Sequence, residues 1–159
     1  MTKKLNSDII TFKGIPSDHS YQAYKDGYYF EAIVVLHGHI EGEMKSLFHM
    51  YSLNKCKESI PKNWFAETYD ANDRLSFIMI AHVLFVVSLI TKNEYDVLVG
   101  FNTLRNTMMH RFYSAPYEGM NKGVSKKKFH SCIKSADRVL CKISERAENL
   151  YDEVNSNSK

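Results

Sequence analysis

Apolar side chains recur every three or four residues along most of the chain, which is the spacing of one α-helical face. The pattern is clearest between Tyr28 and Leu53, where it predicts a single helix of about six turns. The apolar positions of this helix form one stripe: Tyr29, Ile33, Leu36, Ile40, Met44, Leu47 and Tyr51. Such a stripe has to be covered by other helices.

The segments on either side of this helix carry weaker signals. A short helix is predicted after residues 16–18, with Ser17 as its N-cap and Gly27 as its stop. Residues 54–74 are predicted to be a loop that contains a short turn around Trp64. Residues 75–90 are apolar nearly all round, so we expect this third main helix at the centre of the fold.

The second half of the chain predicts two more helices. Asn93 can cap a helix from Glu94 to about Phe112, and Ser125 can cap a long helix that reaches about Val154. A short turn joins residues 75–90 to the helix that follows, so these two should be antiparallel neighbours. No strand pair is credible. The prediction is an all-α bundle of four main helices and a short N-terminal one, a single domain over residues 1–159 with its core at about 17–154.

Composition is that of an ordinary soluble domain. The chain has 159 residues, of which 44% are hydrophobic, and a net charge of +3 that permits a nucleic-acid partner without requiring one. The longest apolar run is too short for a membrane span, and the first residues lack the apolar core of a signal peptide. Three cysteines without a C-x-x-C motif favour reduced thiols in a cytoplasm.

The helix predicted from Glu94 carries the most informative polar residues. At 100° per residue, one narrow arc forms its core face: Val97, Phe101, Leu104 and Met108. Arg105 lies at the edge of this arc, whereas Asn106 and His110 lie near the opposite pole. A guanidinium, an amide and an imidazole on one ridge suit a phosphodiester, because arginine binds phosphate oxygens and histidine transfers protons near neutral pH. A plain surface histidine remains the alternative.

A second row of polar residues borders the stripe of the helix between Tyr28 and Leu53. His37, Glu41 and Lys45 are spaced by four, which predicts either a surface ion pair or the charged border of a site. His39 and Glu43 form a similar pair on the other flank. There is no H-E-x-x-H and no third ligand at a suitable spacing, so no metal is predicted. Phosphate-loop, dinucleotide and nucleophile-elbow motifs are also absent, so no cofactor is predicted.

A basic cluster follows the helix that carries His110. It consists of Lys122, Lys126, Lys127 and Lys128, and it can contact a nucleic-acid backbone through its ammonium groups. A solvated, highly charged loop is the alternative interpretation.

Residues 105–110, "RNTMMH", have the form Arg-Asn-x-x-x-His and resemble the signature of the HEPN superfamily. The earlier helix, which begins with a glycine and aromatic residues and contains Glu41-x-x-x-Lys45, resembles that family's early helix. The order of the helices is also similar, and the resemblance covers residues 20–153. It implies a homodimer of helical bundles in which two Arg/His helices build a composite cleft.

Many members of that family are metal-independent endoribonucleases that act as toxins or defence proteins. The resemblance implies that Arg105 binds the scissile phosphate, Asn106 positions it and His110 assists proton transfer, while Glu41 and Lys45 support the cleft. His37, from the same row as Glu41, and Tyr113 are further candidates for supporting residues of the site. A cognate antitoxin or regulatory protein is an implied partner. In one toxin branch a tyrosine two residues after the histidine is modified; here Phe112 holds that position and Tyr113 follows.

Two other functions remain open. The family also contains non-catalytic members, so the chain can instead be a dimeric interaction module or transcriptional co-regulator. A DNA-binding bundle ranks last, because no helix-turn-helix with a basic recognition helix is present.

Overall fold

A computed structural model describes residues 14–56, 64–111 and 124–156; for residues 64–66 and 111 it describes the backbone alone. These residues form α-helices without a strand, which confirms the predicted all-α class. Six helices lie in the described ranges: α1 (Pro16–Lys25), α2 (Tyr29–Lys55), α3 (Trp64–Asp73), α4 (Phe77–Val86), α5 (Lys92–Arg111) and α6 (Lys126–Ser156).

The centre of the fold is α2, which contacts each of the other five helices of the described ranges. Its predicted apolar stripe is confirmed: Tyr29 and Tyr51 at its ends are partly exposed, and the positions between them are almost completely buried, namely Ile33, Leu36, Ile40, Met44 and Leu47. The long helix α6 covers one side of this stripe, and α4 and α5 cover another.

The short helix α1 begins two residues earlier than predicted. Ile15 occupies the N-cap position and Pro16 the first turn, so the prediction of Ser17 as the cap is wrong. Proline suits this place because it lacks an N–H that would need a partner and its φ is already helical. The predicted stop at Gly27 is confirmed, since Gly27 has a φ of +85° and its neighbour Tyr28 donates its N–H back to the Ala23 carbonyl.

The apolar helix α4 is shorter than predicted and lies at the side of the bundle rather than at its centre. It ends at Val86 because Ser88 adopts a left-handed φ of 62°. The Ser88 and Leu89 amides then donate to carbonyls of the last turn, which closes the helix. Its outer face leaves two apolar side chains exposed, Met79 at 54% and Val86 at 65%. No helix of the described residues has the length and apolar character needed to cross a membrane.

Residues 64–73 form the helix α3, so the prediction of a loop over residues 54–74 is wrong for this part and the bundle has one helix more than predicted. The sequence of α3 has little apolar periodicity, and its tertiary contacts explain why it forms. The buried side chain of Asn72 donates to the Lys45 carbonyl over 2.7 Å, and the Lys45 ammonium donates to the Asp73 carbonyl over 2.8 Å. These bonds hold the end of α3 on α2.

The first turn of α5 is closed by Thr91 and Glu94 rather than by the predicted cap Asn93. The Thr91 N–H donates to Glu94 Oε2 over 2.8 Å, and the Glu94 N–H donates to Thr91 Oγ1 over 3.3 Å. This reciprocal pair is a capping box, for which threonine followed three residues later by glutamate is the sequence signature. At the start of α6, the Lys128 N–H donates to Ser125 Oγ, which confirms Ser125 as the cap.

Glu94 also joins α5 to α6 through a buried ion pair. Its side chain is 2% exposed, and Arg146 donates to both of its carboxylate oxygens over 2.9 and 3.0 Å. Lys142 lies 3.5 Å away on the same side. Burial alone would raise the pKa of Glu94, but the hydrogen bonds from Arg146 and Thr91 lower it to about 2 from an ordinary value of 4.5. The anionic form of this carboxylate is therefore more stable in the folded chain than in the unfolded chain.

Replacing Ile40 by alanine tests the central position of α2. Ile40 is completely buried, so we expect Ile40→Ala to lower the free energy of unfolding by about 2–5 kcal/mol. Val34→Ala is the control, because Val34 is on the same helix but 40% exposed, and it should change stability by less than about 1 kcal/mol. Chemical denaturation measures both, and equal effects would contradict the central role of the stripe.

Glu94→Gln tests the ion pair through its pH dependence. The folded pKa is depressed, so the stabilisation is present above pH 4.5 and is lost as the pH falls towards about 2. The variant should be less stable at neutral pH by up to about 3 kcal/mol and should have a flatter stability profile between these values. Glu145→Gln, an exposed carboxylate on α6, is the control in the same denaturation series. Parallel profiles for Glu94→Gln and the native chain would contradict the pair.

Candidate functional site: the polar face of helix α5

The core face predicted for α5 is confirmed. Phe101, Leu104 and Met108 are buried, and Val97 packs partly buried against the same core. Arg105 and Asn106 are half-buried at the side of this face, and His110 is exposed on the last turn. The polar residues of the motif are therefore not core residues of their own helix.

Arg105 and Asn106 are in direct contact. Arg105 Nη1 donates to Asn106 Oδ1 over 3.0 Å, which holds the half-buried guanidinium beside Asn106. The Nε atom of Arg105 is buried and has no hydrogen-bond partner among the described residues. A buried donor without a partner costs free energy.

His110 lies one helical turn beyond Asn106. Among the described residues its imidazole has no hydrogen-bond or ion-pair partner, and the side chain is exposed. Asn106 and His110 thus share the outward side of α5, whereas Arg105 lies at the edge of the core face and is joined to this side by its hydrogen bond to Asn106.

His37 brings α2 to the same side of α5. Its Nε2 lies 3.0 Å from Asn102 Oδ1, and its ring stacks on Phe77 with the centroids 4.2 Å apart. Because a carbonyl oxygen only accepts, Nε2 carries the hydrogen and donates it to Asn102. His37 Nδ1 is 3.9 Å from the carboxylate of Glu41.

The electrostatic surroundings of His37 favour its neutral form. Burial lowers the pKa of His37 below its usual 6.5, and the nearby cation of Arg105 lowers it further, while Asn102 and Glu41 act in the opposite direction. The Arg105 guanidinium is therefore close enough to His37, the first residue of the polar row on α2, to interact with it electrostatically.

The row continues along α2 from Glu41 to Lys45. Lys45 Nζ lies 3.0 Å from Glu41 and also reaches Asp73 at the end of α3. Burial alone would lower the pKa of Lys45, but these hydrogen bonds and charges raise it. Both sides of the ammonium are already neutralised, so Lys45 supports the position of α3 and is not a free phosphate ligand.

The opposite flank of α2 serves packing. Glu43 accepts a hydrogen bond of 3.0 Å from Ser144 Oγ on α6 and lies 3.9 Å from His39. Across the described ranges, no three histidine, cysteine, aspartate or glutamate side chains come together in a way that could hold a metal ion.

Three of the four lysines that the sequence singles out lie in the described residues. Lys126, Lys127 and Lys128 are exposed on the first turn of α6. Lys126 lines a cavity beside the last turns of α5, where Met108 is part of the opposite wall. Lys122 and Tyr113 lie outside the described residues.

Two contacts of the site were not predicted from the sequence. Asn102 holds His37, and Asp73 holds Lys45. The sequence does indicate a place for Asn102 beside the motif, because Asn102, Asn106 and His110 are spaced by four and so share one stripe of α5. Asp73 had none, since its role depends on how α3 folds back on α2.

Comparison of the chain with protein-family models, with curated proteins and with solved structures finds no match. The interpretation of the site therefore depends on the geometry of these residues and on the motif that they form.

Arg105→Gln tests the electrostatic coupling across the site. Removing the cation should raise the pKa of His37, because Arg105 lowers it in the native chain. A proton–carbon NMR titration of the histidine ring signals measures this pKa directly. Arg138→Gln, an exposed arginine on α6, is the control and should leave the pKa of His37 unchanged. An unchanged pKa in Arg105→Gln would contradict the proximity of the two groups.

Proposed function

We propose that the chain is a metal-independent endoribonuclease, a HEPN-like helical bundle that works as a homodimer in toxin–antitoxin or defence biology. The observation that carries the proposal is the arrangement on α5. The half-buried guanidinium of Arg105 is held by Asn106 at the edge of the core face, and His110 is exposed on the last turn of the same helix. This combination supplies a fixed cation and an exposed proton-transfer group at the same end of one helix.

The chemistry that fits these groups is transesterification of RNA. The ribose 2′-oxygen attacks the neighbouring phosphorus and loses its proton, while the bond from phosphorus to the 5′-oxygen breaks and that oxygen gains a proton. The products are a 2′,3′-cyclic phosphate and a 5′-hydroxyl. Arg105 stabilises the charge that develops on the phosphate oxygens, and His110 carries a proton.

A dimer would place two copies of this face around one phosphate. Two imidazoles can then divide the work, one taking the proton of the 2′-hydroxyl and the other giving a proton to the leaving oxygen. Asn106 orients the guanidinium through the hydrogen bond of 3.0 Å. His37, Glu41 and Lys45 lie on α2 and support the positions of α5 and α3. The three exposed lysines at the start of α6 are suited to the RNA backbone.

A non-catalytic interaction module is the second candidate, and the outer face of α4 is the observation that favours it. Met79 and Val86 are more than half exposed on a helix that is apolar nearly all round. Exposed apolar side chains of this kind are typical of a surface that binds another protein. A dimeric regulator would use this surface and would leave RNA intact.

Incubation of the purified protein with a mixed RNA pool in EDTA tests the proposal. We expect cleavage by the native chain that leaves cyclic-phosphate ends, and a loss of at least about a hundredfold in rate for His110→Ala. Arg105→Ala should have a similar effect, because it removes the cation that binds the phosphate. His82→Ala is the control, since His82 is an exposed histidine on α4 and should retain full activity.

Sedimentation equilibrium and circular dichroism accompany the assay, so that a loss of activity can be separated from a loss of the dimer or of folding. A folded, dimeric native chain that cleaves no RNA in the pool would contradict the nuclease and favour the interaction module. Cleavage that His110→Ala leaves unchanged would contradict the assignment of the site.

A further inference from the structure

A cavity of about 500 Å³ lies between the start of α2, the start of α6 and the last turns of α5. Four of the nine described residues that line it are aromatic: Tyr28, Tyr29, Phe30 and Phe129. Tyr29 and Phe129 pack edge to face with their centroids 5.3 Å apart, which makes the inner wall rigid. Tyr28 is 63% exposed at the mouth, so its ring is accessible to a ligand. The volume is in the range of small-molecule sites.

Two of the described residues that line the cavity are charged. Lys126 is the first residue of α6, where the dipole of a long helix adds to its positive charge. Glu31 lies on the first turn of α2, and its Oε1 is held by His19 Nε2 at 2.6 Å. The cavity therefore offers flat apolar surface, one site for an anion and one fixed carboxylate.

A nucleotide uses all of these features at once. Its base can stack on aromatic rings, its phosphate can bind Lys126, and the donors on the edge of the base can bind Glu31. Guanine fits the carboxylate best, because it alone among the four bases presents two adjacent N–H donors, N1 and N2, on its pairing edge. A methylated ammonium group would suit the aromatic rings and Glu31, but the ammonium of Lys126 would repel it.

We propose that this cavity binds a guanine nucleotide, with the base against Tyr28 and Glu31 and the phosphate on Lys126. The inference rests on the proposed function when the nucleotide belongs to RNA, and there it adds a recognition site for one base of the substrate. Met108 lines the cavity and precedes His110 by two residues, on the opposite side of the same helical turn. The bound base would then lie within one or two nucleotides of the cleaved bond.

Binding is measured separately from cleavage. The full chain is titrated by NMR and calorimetry with the four ribonucleoside monophosphates and with four short oligonucleotides that differ at one central base and carry a 2′-deoxy ribose at every position, so that none can be cleaved. We expect the guanine ligand of each set to bind about tenfold or more tightly than the others. Binding of guanosine monophosphate as strong as that of the oligonucleotide identifies a free nucleotide as the ligand; much stronger binding of the oligonucleotide identifies a nucleic-acid strand.

Variants of the cavity have matched controls on the same chain. Glu31→Gln should remove the preference for guanine, Tyr28→Ala should weaken all four bases, and Lys126→Ala should weaken binding and reduce its dependence on salt. Tyr151→Ala and Lys134→Ala are the controls, because both side chains are exposed and neither lines this cavity. Circular dichroism shows whether each variant is folded.

The outcomes separate this inference from the nuclease. Equal binding of all four bases, or a guanine preference that Glu31→Gln retains, overturns the base site even if RNA is cleaved. Guanine-selective binding by a chain that cleaves no RNA supports the base site and counts against the nuclease alone. Tight binding of quaternary ammonium in place of nucleotides also overturns the inference.

Discussion

The buried stripe of α2 is the constraint on which the rest of the structure depends. Every other helix of the described ranges packs against this one helix, so each has one face that is fixed by the core and one that is free. The free face of α5 carries Asn106 and His110, and the free face of α4 carries Met79 and Val86. The same packing that stabilises the fold therefore decides which residues can meet a ligand or a partner.

The two ends of α5 have different roles. The first turn is fixed by the capping box of Thr91 and Glu94 and by the ion pair to Arg146. The other end carries Arg105 and His110, beside the cavity that Met108 and Lys126 line. A helix that is fixed at its start holds the residues near its end at a constant angle to α2. The proposed reaction, in which Arg105 and His110 act on one phosphate, would require such a fixed position.

Long amphipathic patterns in the sequence predicted much of the fold. The stripe of α2, the stop at Gly27, the cap at Ser125 and the core face of α5 are local features, and each is found in the structure. The prediction failed where tertiary contacts decide. Residues 64–73 become helical because Asn72 and Asp73 bind Lys45 across 27 and 28 positions of the chain.

The same distinction between local features and tertiary contacts applies to the side chains of the site. The outward position of His110 follows from helical periodicity alone, and so does the alignment of His37, Glu41 and Lys45. The partners of these residues do not, because they lie on other helices. Periodicity also misplaced α4: a helix that is apolar all round suggests burial on every side, yet Met79 and Val86 remain exposed. Composition alone cannot distinguish an apolar helix face that stays exposed from one that is buried in the core.

The packing of α6 on α2 also has a consequence for biosynthesis. These helices are joined by contacts between residues about a hundred positions apart, such as the bond from Ser144 to Glu43 and the bond from Asn54 to Glu153. The contacts between α1 and α2 and between α4 and α5 are local and can form early. A ribosome makes α6 after the other five helices, so the growing chain carries the uncovered side of the α2 stripe through most of its translation. During that interval this apolar side is exposed, as is typical of the incomplete chains to which chaperones bind.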